Sequence, residues 1–177
     1  MEHDRMPDFA FKLMNLSFKL RDIFGHPDKK LAAFGIKEGF TVIDYGCGPG
    51  RYLQRASELV GPGGKVYAAD VHELAVEHAR EIIRQNSLPN VETVQLNGYI
   101  CPLDDETADM VYALDMFHMV SKPEPFLREI HRLLKKKGTL IIEDGHQPRR
   151  VTKAKLDSVK IWDIAEETKQ YLKCRPK

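Results

Sequence analysis

The sequence predicts an α/β protein built on a doubly wound, parallel sheet. Three observations carry this. Apolar runs of strand length alternate with amphipathic helical stretches, joined by short turns. One run, Phe40-Thr41-Val42-Ile43-Asp44, ends in an acid. Glycines follow it at alternate positions, Gly46, Gly48 and Gly50, and then a helical pattern opens with Arg51-Tyr52-Leu53. That order of strand, glycine turn and helix brings backbone close to a ligand at the carboxyl edge of such a sheet. Finally, Ala108 to Leu114 is almost wholly apolar, as befits a central strand covered on both faces.

Taken in order, residues 8–24 read as an amphipathic helix. Phe9, Leu13, Leu16, Leu20 and Ile23 share one face, while Lys12, Lys19 and Arg21 point elsewhere. Gly25-His26-Pro27 ends it. This helix is expected to pack on the sheet as a cover or to close the pocket as a lid. Its modestly basic polar face leaves contact with a membrane surface as a third role. A short helix from Asp28 to Phe34 precedes the first strand. Pro49 is expected in the first turn of the helix after the glycine loop, where its missing N–H is not needed. Tyr52, Leu53, Ala56, Leu59 and Val60 form that helix's stripe, which Gly61-Pro62-Gly63-Gly64 breaks. Lys65 to Asp70 is a second strand, again ending in an acid. Leu74, Ala75, His78, Ala79, Ile82 and Ile83 mark the next helix, which stops before Pro89.

Val91 to Leu96 and Ala108 to Leu114 are the third and fourth strands. The link between them leaves room for a crossover helix of a turn or two at most. A helix from Pro123 to Lys136 follows, with Lys135-Lys136-Lys137 as solvated cations at its carbonyl pole. Gly138 ends it, and Thr139 to Asp144 is the fifth strand. In the tail, Thr152 to Val159 reads as helix. Residues 160–168 and 170–175 read as a hairpin whose last strand is antiparallel to its neighbour; one continuous helix over 153–172 is the rival. Trp162 is expected in the core.

At 177 residues the chain suits a single domain with a sizeable core, residues 1–35 forming the helical cover or lid and 36–177 the ligand-binding core. A net charge of +1 gives no general pull toward nucleic acid or anionic membrane. Cys47, Cys101 and Cys174 are scattered, without metal-ligand spacing, which favours a reducing cytoplasm over a disulfide framework or a zinc site. The N-terminus has no apolar core of signal-peptide type, and no apolar run is long enough to span a bilayer.

The chemistry starts from two acids. Asp70, at the end of the second strand, is placed to accept hydrogen bonds from ribose hydroxyls or else to cap the helix that follows. Gly46 and Gly48 remove the Cβ atoms that would hold a ligand away. A dinucleotide fingerprint would need a glycine or alanine where Arg51 stands, and no P-loop Lys-Ser/Thr follows. A nucleoside with an amino-acid tail fits better. Its carboxylate can use backbone N–H groups at the helix start, and its ammonium can use Asp44. Cys47 is expected to pack within the loop.

Ile43-Asp44-Tyr45-Gly46-Cys47-Gly48-Pro49-Gly50 resembles motif I of the class I S-adenosylmethionine-dependent methyltransferases. Val66-Tyr67-Ala68-Ala69-Asp70 resembles their second-strand motif with its ribose-binding acid. Pro102 to Val111 resembles the "LPF-D-x-S-F-D-x-V" stretch of the small-molecule branch that includes ubiquinone/menaquinone-type enzymes. Leu127 to Gly138 is similar to the helix and turn before the family's fifth strand. The resemblance implies a Rossmann-like, mostly parallel seven-stranded sheet with an antiparallel last strand, and S-adenosyl-L-methionine as cofactor. It carries an adenine contact over to Val71. Where the family often has an acid for the adenine amino group, this chain has Asn97, followed by Gly98. Where the family commonly has a paired "HH", it reads Met116-Phe117-His118-Met119.

The expected function is methyl transfer from S-adenosylmethionine to a small-molecule acceptor by in-line displacement. Such a reaction asks mainly for alignment. His118 is the nearest candidate general base if the acceptor has a proton to lose, or else a packed histidine beneath the cofactor. Asp115, just after the fourth strand, is placed to touch the cofactor tail or the acceptor, or to cap a turn. No basic stripe points to a nucleic-acid acceptor. The short chain suits a small acceptor or a partner that completes the cleft, a homodimer being one such arrangement. The competing readings are a non-catalytic module binding S-adenosylmethionine or S-adenosylhomocysteine, and a nicotinamide-dependent reductase, which Arg51 disfavours.

Overall fold

The computed structural model describes residues 7, 8 and 28–177. The helix expected over 8–24, with its cover or lid role, therefore lies outside the described residues apart from Asp8.

The elements are α1 (Asp28–Ala32), β1 (Thr41–Tyr45), α2 (Leu53–Val60), β2 (Lys65–Asp70), α3 (Glu73–Gln85), β3 (Val91–Gln95) and β4 (Ala108–Ala113), then α4 (Pro123–Leu133), β5 (Leu134–Glu143), α5 (Arg149–Asp157), β6 (Trp162–Glu167) and β7 (Tyr171–Pro176). A 3-10 turn, Phe117–Met119, lies between β4 and α4. The strands form one seven-stranded sheet in the order β3-β2-β1-β4-β5-β7-β6. Neighbours run parallel except β7, which is antiparallel to both β5 and β6. The doubly wound sheet and the terminal hairpin form as expected, and the continuous helix over 153–172 does not.

Period-two alternation decides which face each side chain covers. Val42, Met110 and Tyr112 go to one face, where Leu31 of α1, Leu53, Ala56 and Val60 of α2 and Ala79 of α3 pack on them. Ile43, Val111 and Ala113 go to the other, under Phe126, Leu127 and Ile130 of α4 and Leu156 of α5. The strand order reverses between β1 and β4, so their carboxyl ends part and leave a crevice. Trp162 is buried, its ring 5.4 Å from that of His131.

Three local expectations are corrected. Pro49 is not in the first turn of α2, because residues 46–52 form a wider turn and the helix starts at Leu53. The β3–β4 link holds no helix; it is a run of turns in which Asn97 and Ile100 exchange backbone hydrogen bonds at 3.0 and 3.1 Å. The lysine run is not a helix end. α4 stops at Leu133, Leu134 pairs with Ala108, and the ladder slips before resuming at Met110 and Thr139. Lys135 is held in that bulge by Asp109 at 2.8 Å. Gly138 permits the bulge, since a Cβ there would stand 2.8 Å from Lys135 O.

Candidate active site

The carboxyl ends of β1, β2, β4 and β5 open into one cleft of about 830 Å³. Asp44, Gly46, Cys47, Gly48, Asp70 and Val71 line its floor, and Asn97, Gly98 and Asp115 line its walls. Gly50 and His118 are not among the lining residues.

The floor is shaped by the glycine loop. Gly46 N and Cys47 N donate to Ala69 O at 2.8 and 3.1 Å, folding the loop back on β2. Gly46 has φ +81°, and a Cβ on it would lie 3.1 Å from Met116 Cγ. Gly48 has φ +52°, and nothing lies within 4 Å of a Cβ built there, so bare backbone faces open space. Gly50 serves packing instead, since a Cβ on it would meet Leu53 at 3.0 Å.

Asp70 organises this loop as well as facing the cleft. Its Oδ2 accepts from Gly48 N and its Oδ1 from His72 N, both at 2.8 Å. The cap of α3 is not Asp70 but His72, whose Nδ1 accepts from Leu74 N at 3.2 Å. Burial raises the Asp70 pKa, partly offset by the two backbone donors. Asp44 is deeper, 2 % exposed. Its Oδ2 has no hydrogen-bond partner among the described residues, nor has the Tyr112 hydroxyl. Burial, and then repulsion from Asp70, push the Asp44 carboxyl well above its usual range, while the nearby Tyr112 hydroxyl pulls the other way. A buried carboxylate with an idle oxygen is unfavourable unless a ligand supplies a donor.

One wall is apolar. Leu96, Tyr99, Ile100, Met119 and Val120 line it, and Ile100 and Met119 are 62 % and 40 % exposed. Its backbone is fixed from below. The Tyr45 hydroxyl donates to Tyr99 O. Arg132 of α4 donates to Cys101 O at 2.9 Å and Leu103 O at 2.8 Å while paired with Glu129 at 2.6 Å. Glu129 in turn accepts from Cys101 N at 2.8 Å. Another part of the lining is polar, with Asp115 after β4, Glu143 at the end of β5, and Asp144 and His146 just beyond it. Asp115 has φ +52°, a strained conformation for a non-glycine residue at the cleft.

His118 neighbours a cleft residue without lining the cleft itself. Its ring packs edge-on against His146 at 4.9 Å, and a Cβ at Gly145 would lie 2.0 Å from its Nδ1. Burial lowers its pKa. Two histidines line the cleft, His72 after β2 and His146 after β5; the motif reading named neither, and the position of His146 three residues past Glu143, the acid that ends β5, was the available signal. Lys30, Met116 and Glu143 were also missed. Lys30 and Met116 come from segments remote from the glycine loop in sequence, and no local pattern marks them.

Among the described residues, no helix is long and apolar enough to cross a membrane, and no group of three or more His, Cys, Asp or Glu is arranged to hold a metal ion.

Residues 36–174 match the family described as "Methyltransferase domain". A ubiquinone/menaquinone biosynthesis C-methyltransferase, UbiE, from Escherichia fergusonii is 34 % identical over 115 residues, covering 64 % of this chain and 46 % of that protein. The chain thus spans about half the length of the curated relatives it matches. The crystal structure of a SAM dependent methyltransferase from Aquifex aeolicus superposes with a TM-score of 0.81 at 31 % identity, covering 97 % of each chain. A putative S-adenosyl-L-methionine-dependent methyltransferase from Methanococcus maripaludis shares the fold, with a TM-score of 0.80 at 19 % identity over 100 % of this chain and 97 % of that one. On the family match and the Aquifex likeness together, this chain belongs to the methyltransferase domain family.

Proposed function

We propose that this chain transfers the methyl group of S-adenosylmethionine to a small-molecule acceptor. The observation that carries it is the pairing of bare backbone at Gly48 with two buried carboxylates, one of which, Asp44, keeps an unused oxygen. That pair of acceptors suits a ligand that brings donors, a ribose diol and an ammonium group. Asp70 can take the ribose hydroxyls on lone pairs its backbone donors leave free. Val71, Asn97 and Gly98 suit the adenine side, where an amide oxygen can accept from an amino group. Cys47 lies within the loop, and Asp115 stands where tail and acceptor would meet.

When bound, S-adenosylmethionine supplies an electrophilic methyl group together with its own leaving group. The chain's task is then to align the acceptor and keep water out. The apolar wall with Ile100 and Met119 serves the second need, and the polar wall with Asp115 and His146 the first. The three cysteines are free and buried, which suits a reducing compartment.

Calorimetry with S-adenosylhomocysteine and with NAD(P) tests the site: the expected result is saturable binding of the first only. Binding of a nicotinamide cofactor alone would overturn it. Methyl-labelled cofactor incubated with a small-molecule extract should then yield label in a low-mass product. Tight binding without any transfer would favour a non-catalytic binding module.

A further inference from the structure

Two turns near the C-terminus bring residues to the cleft that the cofactor does not need. Gly145 and His146 follow β5, and Lys169 and Gln170 join β6 to β7; all four line the cleft. One guanidinium holds both turns. Arg149 Nε donates to the two oxygens of Asp144 at 2.9 and 2.8 Å, and Arg149 Nη1 donates to Thr168 O at 3.0 Å. Each turn is braced a second time. Gln147 Nε2 donates to Thr152 Oγ1 of α5 at 2.9 Å. Thr168 Oγ1 accepts from Gln170 N and Tyr171 N at 3.2 and 3.0 Å. The backbones are thus fixed, while His146, Lys169 and Gln170 stay exposed at the tips.

The acids around these turns are already taken. Asp144 is paired with Arg149 at 2.8 Å, and Glu167 with Arg149 at 3.3 Å and Lys153 at 2.9 Å. Glu166 is paired with Lys173 at 3.3 Å, and Glu143 with Lys30 at 2.7 Å. Among the described residues, Lys169 therefore has no carboxylate partner, and the Gln170 amide and the His146 imidazole make no side-chain hydrogen bond. An ammonium, an amide and an imidazole left uncommitted on braced backbone offer several donors together. An unanswered cation in a cleft favours an oxyanion and disfavours an ammonium. Asp115 also lacks an ion pair among the described residues, but it stands after β4, where tail and acceptor would meet.

We propose that these two turns form the acceptor subsite, and that it takes a small molecule bearing a carboxylate or phosphate group, which Lys169 binds with help from Gln170 and His146. This rests on the methyltransferase reading and names its substrate class.

The test uses the full chain saturated with S-adenosylhomocysteine and labelled with nitrogen-15. Four probes share one ring and differ in charge: benzoate, phenyl phosphate, benzyl alcohol and benzylamine. Benzoate or phenyl phosphate should shift the amides of residues 145–147 and 168–171 saturably, and the stronger of the two tells carboxylate from phosphate. The alcohol and the amine should bind more weakly by about threefold to fivefold, the scale of an ion pair between exposed groups. Lys169→Ala should abolish the preference and Lys169→Glu should turn it toward benzylamine. Lys169 is exposed at a hairpin tip, so neither substitution threatens the fold. Lys122→Ala, at another lining cation, should leave the preference intact. Equal binding of all four probes, a preference that survives Lys169→Ala, or one lost equally in Lys122→Ala would overturn the inference alone. Failure of the wild type to bind S-adenosylhomocysteine at the outset would instead bring down the cofactor reading, and this inference with it.

Discussion

Asp44 shows what a binding residue costs the fold. Its ordinary pKa is 3.8, and burial with Asp70 nearby lifts it well above that. The folded chain therefore holds the proton more tightly than the unfolded chain. The carboxyl's favourable contribution is present below its unfolded pKa and is lost as pH rises through the folded value. Affinity for a ligand ammonium moves the opposite way, because the ionised acceptor forms in the same window. Asp44→Asn should raise the stability at pH 7 by about 1–3 kcal/mol, since it removes a carboxyl whose ionised form burial disfavours, while weakening S-adenosylhomocysteine. Denaturant melts at pH 5 and pH 7 with calorimetry at pH 7 check both halves. A variant no more stable than wild type at pH 7 would mean that the carboxylate is not under strain.

Among the elements, α4 has the less obvious task. Its apolar face, Phe126, Leu127, Ile130 and Leu133, follows from helical spacing and seats it on the sheet. Its polar edge then reaches sideways. The Glu129–Arg132 pair holds Cys101 and Leu103 by three hydrogen bonds to backbone, at 2.8, 2.8 and 2.9 Å. That grip stands in for the helix missing from the β3–β4 link and sets the wall that carries Tyr99 and Ile100. Arg132→Met should speed hydrogen exchange at residues 101–105 while amides of β1 stay protected. Uniform acceleration across the sheet would show a global effect instead, and no change would show that the link stands without the clamp.

For the whole molecule, the strand order reverses between the parallel neighbours β1 and β4, and the proposed ligand contacts gather at the carboxyl edge there. A ligand held there bridges segments from β1 to β4 and is lost on unfolding. S-adenosylhomocysteine at a hundred times its dissociation constant should therefore add about 2.7 kcal/mol to the stability, seen as a rise in Tm, and NADP should add nothing. A Tm that ignores S-adenosylhomocysteine would place the binding site in doubt.

The sequence by itself determined the strands, the glycine turn, the helices on either face and the floor acids, because each is written in neighbouring residues: apolar alternation, bare backbone, an acid at a strand end. Even the terminal hairpin was legible in that way. Tertiary structure decided the rest. The lysine run looks like a helix terminus until Asp109, on another strand, draws Lys135 into a bulge. His118 reads as a cleft residue from its place after the fourth strand, yet it packs against Gly145 and His146 and is not among the residues that line the cleft. Lys30 gains its place only when α1 docks and Glu143 meets it. Local periodicity is set by backbone geometry, whereas which side chains converge is set by packing between segments far apart in the chain.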